Sequence, residues 1–297
     1  MKKLKIGYFA DGPWAHQTFA KLQKDETLEI AFVCARNDCP DPVLRIEAEK
    51  NGLSFIVHPR VNAPEFIEIV RQYECDLFVS MSFNQIFRSE LLNLPRLKTI
   101  NCHAGKLPFY RGRNVLNWVL INDESEFGIT VHYVDNGIDT GDILAQHCYP
   151  ITDADSYKTL LSRAHEGCAT TIYEAIKSIQ ENRAVTVAQN NIHPFGFYCS
   201  ARKQGDELLD WNQKSREVFN FVRAICDPGP KARTFFGDLE LKINKVEYLE
   251  AAPSFKGIPG AVLGVDSGMF IVKTLDSFVR VVEWESAHNP KIGDRLK

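Results

Sequence analysis

The chain contains 297 residues, of which 44% are hydrophobic and 25% are charged, and its formal net charge is -3. This length accommodates one large domain and a smaller one, and the composition is ordinary for a soluble globular protein. The small negative charge excludes a global positive field that would attract nucleic acid or an anionic membrane, although it leaves room for a local basic patch.

The N-terminus and the cysteines indicate a cytoplasmic protein without metal. The apolar stretch after Lys3 is short and runs into Asp11–Pro13, so the apolar core of a signal peptide is missing. No apolar run approaches the roughly 18 residues of a membrane span. Among the eight cysteines only Cys34 and Cys39 are close, and no second pair or nearby histidine completes a zinc set. We therefore expect reduced cysteines and no bound metal.

Over the first half of the chain, short apolar runs alternate with amphipathic stretches. The predicted strands are Leu4–Ala10, Leu28–Cys34, Leu53–Val57, Asp76–Met81, Leu97–His103, Gly128–Val134 and Ile143–Tyr149. The predicted helices are Trp14–Gln23, Pro42–Asn51, Glu65–Gln72, Val115–Ile121 and Ser156–Gln180. This alternation predicts an α/β fold, namely a Rossmann-like, mostly parallel sheet with helices on both faces. Such sheets bind ligands beyond the carboxyl ends of their strands.

The rest of the chain predicts a second, smaller domain. Residues 189–207 have the polar, Gly- and Pro-containing composition of a linker, so we place a catalytic domain at 1–188 and a C-terminal domain at 208–297. A helix is predicted at Lys214–Ile225 and ends at a Pro-rich turn. The predicted strands that follow are Leu239–Val246, Gly260–Leu263, Phe270–Val272 and Phe278–Val282. These short runs predict a small antiparallel β-barrel of the OB type.

Two polar side chains mark the carboxyl end of the fifth predicted strand. Asn101 and His103 are two residues apart, so both project from one face of the strand while Cys102 points to the other. Further along, Asp139 stands between two glycines, where the backbone can bend sharply and direct a carboxylate at a fixed point. Taken singly, such residues more often mark a polar strand end and a plain turn than a functional site.

Together, these residues resemble the formyltransferase superfamily. The resemblance covers residues 4 to about 180 and is carried by ordered motifs, namely Asn101-x-His103, Leu107–Pro108, Arg111–Gly112, Gly128–Thr130 and Asp139–Gly141. The superfamily includes methionyl-tRNA formyltransferases, glycinamide ribonucleotide transformylases and nucleotide-sugar N-formyltransferases. One departure is Lys106, at a position where many members carry leucine.

The resemblance implies that Asn101, His103 and Asp139 are catalytic. Asn101 would donate an amide N–H to the oxyanion that develops when a neutral amine attacks the formyl carbon. His103 would accept the proton of the amine or hydrogen-bond the oxyanion, and the sequence leaves both roles open. Asp139 would orient the imidazole and stabilise its charged form. No metal is required.

The resemblance also implies a formyl donor, 10-formyltetrahydrofolate, and a place for it. The expected folate-binding residues form the loop after the fourth strand, namely Ser82, Phe83, Asn84, Gln85, Ile86 and Phe87. The counterpart of this loop in the family presents backbone groups to the pterin. An ordinary strand-to-helix loop explains the same residues equally well.

For the acceptor, the sequence favours the amino group of a nucleotide-linked sugar. Asn117 and Trp118 resemble the enzymes that act on 4-amino-4-deoxy-arabinose, and Arg111 and Arg113 offer two cations for a diphosphate. We predict a dTDP-linked amino-6-deoxyhexose used for O-antigen or another surface glycan, with a uridine-linked arabinose as the second choice. The sugar, the amine position and the nucleobase stay open, and a homodimer is expected.

Methionyl-tRNA formyltransferase is the alternative, because Asp210–Gln213 and Asn220–Ala224 resemble that family. Two features oppose it. Those enzymes usually insert a long basic loop after the second strand, whereas Ala35–Pro42 is short and holds one Arg against two Asp. Residues 201–297 contain 15 Lys and Arg against 14 Asp and Glu, which does not suggest the clustered basic surface that tRNA phosphates require. The sequence therefore predicts no nucleic-acid partner.

Other classes fit less well. A nicotinamide-dependent dehydrogenase fits poorly because Phe9–Ala15 lacks the Gly-x-Gly-x-x-Gly motif. A formyltetrahydrofolate hydrolase would use the same three residues with water as acceptor, but such enzymes carry a regulatory domain first, and the first predicted strand here starts at Leu4. A non-catalytic folate-binding protein stays an alternative, and the intact set of Asn, His and Asp opposes it.

Overall fold

The computed structural model describes residues 3–297. Its strands are β1 (Leu4–Ala10), β2 (Leu28–Ala35), β3 (Ser54–Val57), β4 (Leu77–Met81), β5 (Thr99–His103), β6 (Arg111–Gly112), β7 (Glu126–Tyr133), β8 (Ile143–Pro150), β9 (Tyr198–Cys199), β10 (Ala232–Phe236), β11 (Leu239–Glu247), β12 (Val262–Asp266), β13 (Met269–Lys273) and β14 (Phe278–Ser286). Its helices are α1 (Pro13–Gln23), α2 (Pro42–Lys50), α3 (Pro64–Arg71), α4 (Ser89–Leu92), α5 (Val115–Ile121), α6 (Tyr157–Gln180), α7 (Gln189–Ile192) and α8 (Ser215–Ile225).

The large sheet has seven strands in the order β3-β2-β1-β4-β5-β7-β8. The strands from β3 to β5 are parallel to their neighbours, whereas β7 runs antiparallel to β5. The C-terminal strands form a separate five-stranded sheet in the order β10-β11-β14-β13-β12, and all four neighbouring pairs are antiparallel. This architecture confirms the predicted fold class of a mostly parallel α/β sheet with a separate C-terminal β domain.

Successive residues of β1 show why helices cover both faces of the sheet. The Tyr8 hydroxyl donates to the Ala15 carbonyl in α1 over 2.9 Å, whereas the ring of Phe9 packs 6.2 Å from Phe66 in α3. Neighbouring side chains of a strand project to opposite faces. Therefore α1 and α3 lie on opposite sides of the sheet, and β1 is buried between them.

A cluster of phenylalanines forms the core on the α3 side. The ring of Phe9 lies at its centre, with centroids 4.8 to 6.2 Å from the rings of Phe32, Phe66, Phe78, Phe83 and Phe87. Most of these pairs have the edge-to-face geometry that aromatic quadrupoles favour. Gly7 permits this packing, since a Cβ there would lie 2.7 Å from the rings of Phe32 and Phe78.

The chain forms two compact units. The first comprises residues up to Gly112, Phe127–Tyr149 and Ser162–Tyr198, and the second comprises Arg113–Glu126, Pro150–Leu161 and Cys199–Lys297. The second unit therefore combines the C-terminal segment with two segments that precede residue 188. The boundaries predicted at 188 and 207 stay a prediction. No helix within the described residues combines the length and apolar character that crossing a bilayer requires.

The structure shifts several predicted element boundaries, and the backbone explains two of the shifts. β5 begins at Thr99 rather than at Leu97 because Lys98 has a left-handed φ of 67°, which an extended strand does not accommodate. β12 begins at Val262 rather than at Gly260, where φ is 82°.

Phe9→Ala should lower the free energy of unfolding by about 3–5 kcal/mol, because it removes the ring that all the others contact and leaves a cavity. Phe195→Ala is the matched control, since its side chain is 76% exposed. Urea denaturation followed by far-UV circular dichroism measures both. Equal losses in the two variants would show that the cluster does not stabilise the first unit.

Candidate active site

The end of β5 places Asn101 and His103 on one side of the sheet, and β7 supplies their neighbours. In the antiparallel register, Asn101 lies opposite His132 and His103 lies opposite Thr130. Directly opposed residues of an antiparallel pair project to the same face and lie close enough for their side chains to interact. The register therefore brings a second histidine beside the predicted Asn–His pair.

A carboxylate joins this group from the loop between β7 and β8. Asp139 Oδ2 lies 3.6 Å from His103 Nδ1, and Asp139 Oδ1 lies 3.5 Å from His132 Nε2. Asn101 Nδ2 lies 3.3 Å from the same nitrogen of His132. The structure thus brings the three residues predicted to be catalytic into one network, with His132 as its fourth member.

The backbone of the Asp139 loop has an unusual conformation. Asp139 has a left-handed φ of 54°, which is uncommon for a residue with a side chain. The preceding turn is closed by Asp135, whose Oδ1 accepts from the Gly137 N–H over 3.0 Å and from the Thr140 hydroxyl over 2.6 Å. These hydrogen bonds close the turn before Asp139, and the loop directs the carboxylate toward His103 and His132.

The pKa of Asp139 lies well below its ordinary value. Burial of the carboxyl opposes ionisation, but the charge of His103, the hydrogen bond from His132 and the hydrogen bond from the Gly112 N–H outweigh it. The Gly112 nitrogen lies 2.9 Å from Oδ2. Asp139 is consequently an ionised carboxylate near neutral pH, held between two imidazoles.

His103 is fixed by the loop that follows it. Its Nε2 lies 2.7 Å from the Tyr110 carbonyl oxygen, and its Nδ1 faces Asp139. The carbonyl oxygen can only accept a hydrogen bond, so Nε2 carries a proton, and Nδ1 is the ring nitrogen that faces the carboxylate. Gly105 allows the loop to pass the ring, because a Cβ there would lie 2.5 Å from Nε2 of His103.

The predicted folate loop is held in place by contacts of its own side chains. Phe83 and Phe87 pack into the phenylalanine cluster. Gln85 accepts from the Val61 N–H and donates to the His58 carbonyl, and Asn84 donates to Asp38. These contacts hold Ser82, Phe83, Asn84, Gln85, Ile86 and Phe87 in a defined turn. The side chain of Ile86 stays exposed at its surface.

The four residues predicted to bind the acceptor substrate do not lie together in one set of contacts. Within the second unit, the buried Asn117 donates to the Ala224 carbonyl over 2.5 Å and Trp118 Nε1 donates to the Ser200 carbonyl over 2.9 Å. Arg113 has an exposed side chain. In the first unit, the guanidinium of Arg111 donates to the Gln189 side chain over 2.6 Å.

Three contributors were not identified from the sequence. His132 could have been found from its alternation with Thr130 across the apolar Val131, because this places two polar side chains on one face of the strand. The Gly112 N–H gives no sequence signal, because it is a backbone group. Gln189 lies in the segment interpreted as a linker. Within residues 3–297 no group of three or more His, Cys, Asp or Glu side chains is arranged to hold a metal ion.

Comparison with known proteins identifies both parts of the chain. The sequence pattern of the formyl transferase family matches residues 4–176, and that of the formyl transferase C-terminal domain matches residues 202–293. Methionyl-tRNA formyltransferase of Geobacter metallireducens is 33% identical over 82% of this chain and 76% of its own. The enzyme of the same name from Clostridioides difficile is 30% identical over 93% of this chain and 92% of its own.

A solved structure extends the likeness to the fold. The sugar 3N-formyl transferase WlaRD, solved in the presence of dTDP and 5-N-formyl-THF, superimposes with a TM-score of 0.67. It covers 98% of this chain and all of the other, at 22% sequence identity. At this identity the likeness shows the fold alone.

These comparisons overturn the predicted acceptor. A nucleotide-linked amino sugar is wrong, because the relatives that are 30–33% identical are methionyl-tRNA formyltransferases, while the sugar enzyme is similar only in fold. The exclusion of tRNA rested on the short loop after the second strand and on charge counts, and a charge count does not report how the cations cluster on a surface. The buried contact of Asn117 also gives the Asn–Trp pair a structural explanation inside the second unit.

The match to both sequence patterns and the identity with full-length relatives agree with the resemblance in the catalytic motifs. The prediction that 10-formyltetrahydrofolate is the formyl donor agrees with membership of this family. The chain belongs to the formyl transferase family.

Proposed function

We propose that the protein transfers the formyl group of 10-formyltetrahydrofolate to the amino group of methionyl-tRNA. The observation that carries the proposal is the network of Asn101, His103, His132 and Asp139 at the ends of β5 and β7. It assembles an amide donor that can stabilise an oxyanion, an imidazole that can take up the proton of an attacking amine, and an ionised carboxylate beside that imidazole.

Each side chain has a role that follows from its contacts. Asn101 supplies an amide N–H to the oxygen on which negative charge develops, an interaction that strengthens in the transition state. His103 takes up the proton that the attacking amine releases and can return it to the donor nitrogen, whose bond to the formyl carbon breaks as the bond to the amine forms. Asp139, at 3.6 Å from Nδ1 of His103, stabilises the imidazolium and fixes the orientation of its ring. Nε2 of His132 contacts both Asn101 and Asp139 and so helps to hold them in place.

The donor supplies an activated formyl group when it is bound. The loop of residues 82–87 suits a folate, because the side chains of Phe83, Gln85 and Phe87 are engaged within the protein while the backbone of the loop follows the end of β4. Parallel sheets bind ligands at this end of their strands. The sugar enzyme with the same fold was solved in the presence of 5-N-formyl-THF. This supports folate as a ligand of a protein with this fold.

The acceptor is proposed from sequence identity, and the short loop after β2 sets a condition on it. Arg36 in that loop is paired with Asp38 over 2.6 Å, so the loop offers no unpaired arginine to a phosphate. Contacts to tRNA phosphates would then come from other cations of the chain. Such contacts are electrostatic, so they weaken as salt rises.

Asn101→Ala, His103→Ala and Asp139→Ala should each lower turnover by about 100-fold or more, because each removes a group that stabilises the transition state. Formylation of methionyl-tRNA with 10-formyltetrahydrofolate measures the effect. His147→Ala is the matched control, since this histidine is half-exposed on β8 and pairs with Glu174. Near-wild-type rates in all three variants would place the active site elsewhere.

Methionyl-tRNA should gain one formyl group when offered beside a panel of amino-sugar nucleotides, and the latter should stay unmodified. Mass spectrometry of the digested aminoacyl end and of the sugars reads out both. The KM for methionyl-tRNA should rise when the salt concentration increases from about 50 mM to about 200 mM, because salt weakens the contacts to several phosphates. Formylation of a sugar nucleotide alone would overturn the acceptor assignment.

Asp139 should contribute stability that declines in acid. Because its pKa is lower in the folded protein than in the unfolded chain, its contribution is complete above the unfolded value and is lost as the pH falls toward the folded one. The difference in unfolding free energy between wild type and Asp139→Asn should therefore shrink by about 1 kcal/mol from pH 5 to pH 3. Urea titrations at each pH measure it, and a constant difference would contradict the assigned ionised state.

A further inference from the structure

Gln189, the first residue of α7, reaches the Asp139 loop from another part of the first unit. Its side chain is 5% exposed. Its Nε2 donates to the Asp139 carbonyl over 2.8 Å and to the Gly141 carbonyl over 2.9 Å. Both N–H bonds of one amide therefore hold the main chain on either side of Thr140.

The other end of the same amide is held by Arg111. Gln189 Oε1 accepts from Arg111 Nε over 3.1 Å and from Nη2 over 2.6 Å. The adjacent residue, Gly112, donates its backbone N–H to the Asp139 carboxylate. Segment Arg111–Gly112 thus holds Asp139 twice, directly at the carboxylate and through Gln189 at the main chain.

The conformation of the loop makes such support necessary. The left-handed φ of Asp139 is unfavourable for a residue with a side chain, and such a conformation persists only where surrounding contacts fix it. Gly141 lies against β7 so closely that a Cβ would be 1.9 Å from the Tyr133 carbonyl oxygen. This close contact leaves the loop little freedom to adopt another backbone path. The carbonyl oxygens of Asp139 and Gly141 accept the hydrogen bonds from Gln189.

We propose that Gln189 and Arg111 form a clamp that positions the Asp139 carboxylate against the two histidines. Both are positioning residues that act through Asp139, and the inference rests on the proposed formyl transfer. This role assigns the Arg111 side chain to the loop rather than to a diphosphate. The clamp also means that the segment after residue 188, which the sequence indicated to be a linker, contributes a side chain to the site.

The first test is Gln189→Met, which keeps the length of the side chain and removes all four hydrogen bonds. We expect kcat for methionyl-tRNA formylation to fall about 10- to 100-fold, since a shift of roughly 1 Å at a catalytic group has this effect, while KM stays within about threefold. Gln189→Glu should lose as much, because it keeps the acceptor for Arg111 but turns an oxygen toward the two carbonyls. An unchanged kcat in both variants would overturn the clamp.

Gln180→Met is the matched control. Gln180 also donates to a backbone carbonyl, that of Thr27, and accepts from a cation, Lys177, but it lies on α6 away from the loop. It should leave kcat and KM unchanged. A loss of kcat equal to that of Gln189→Met would show that the effect is general destabilisation.

A double-mutant cycle separates positioning from an independent role. In an Asp139→Ala background, Gln189→Met should lower kcat by less than about twofold, because the group that it positions is gone. A loss as large as that in the wild-type background would show that Gln189 acts independently of Asp139, and the clamp would be wrong.

Hydrogen exchange distinguishes failure of the clamp from failure of the proposed function. Amide exchange at residues 136–142 should quicken in Gln189→Met and stay unchanged in Gln180→Met, whatever the acceptor is. If wild-type protein formylates no methionyl-tRNA but this loop loosens, the function is wrong and the clamp stands. If wild type is active and the loop exchanges as before, the clamp is wrong.

Discussion

The Asp139 carboxylate held between two imidazoles is the interaction on which the site depends. Burying a charge is costly unless partners compensate for it. Here His103, His132 and the Gly112 N–H offset the burial, and they keep the pKa of the carboxyl low. The same contacts fix the two rings relative to Asn101, so the ionisation of one side chain and the geometry of the others depend on each other.

The fold supplies this arrangement through one exception to its parallel sheet. β7 runs antiparallel to β5, so His132 and Asn101 are opposed and the loop after β7 returns toward the carboxyl end of β5. The register places the end of β7 beside the start of β5, and the loop that follows β7 carries Asp139 back to both histidines.

The acceptor illustrates how weak evidence of different kinds can mislead. Asn117 and Trp118 resemble the sugar enzymes, yet their side chains hold backbone carbonyls of the second unit. A residue can match a family motif because it packs a domain rather than because it binds a substrate. Identity spread over most of the chain weighs more, because it samples many independent positions.

The sequence by itself determined the fold class and the pairing of Asn101 with His103, because strand periodicity and the order of motifs are local properties. It also pointed to Asp139 through the flanking glycines and the family resemblance. Only the tertiary structure decided that His132, Gly112 and Gln189 meet these residues. Cross-strand register, a backbone N–H and a side chain about fifty residues away along the chain are set by packing at a distance, which no local pattern encodes.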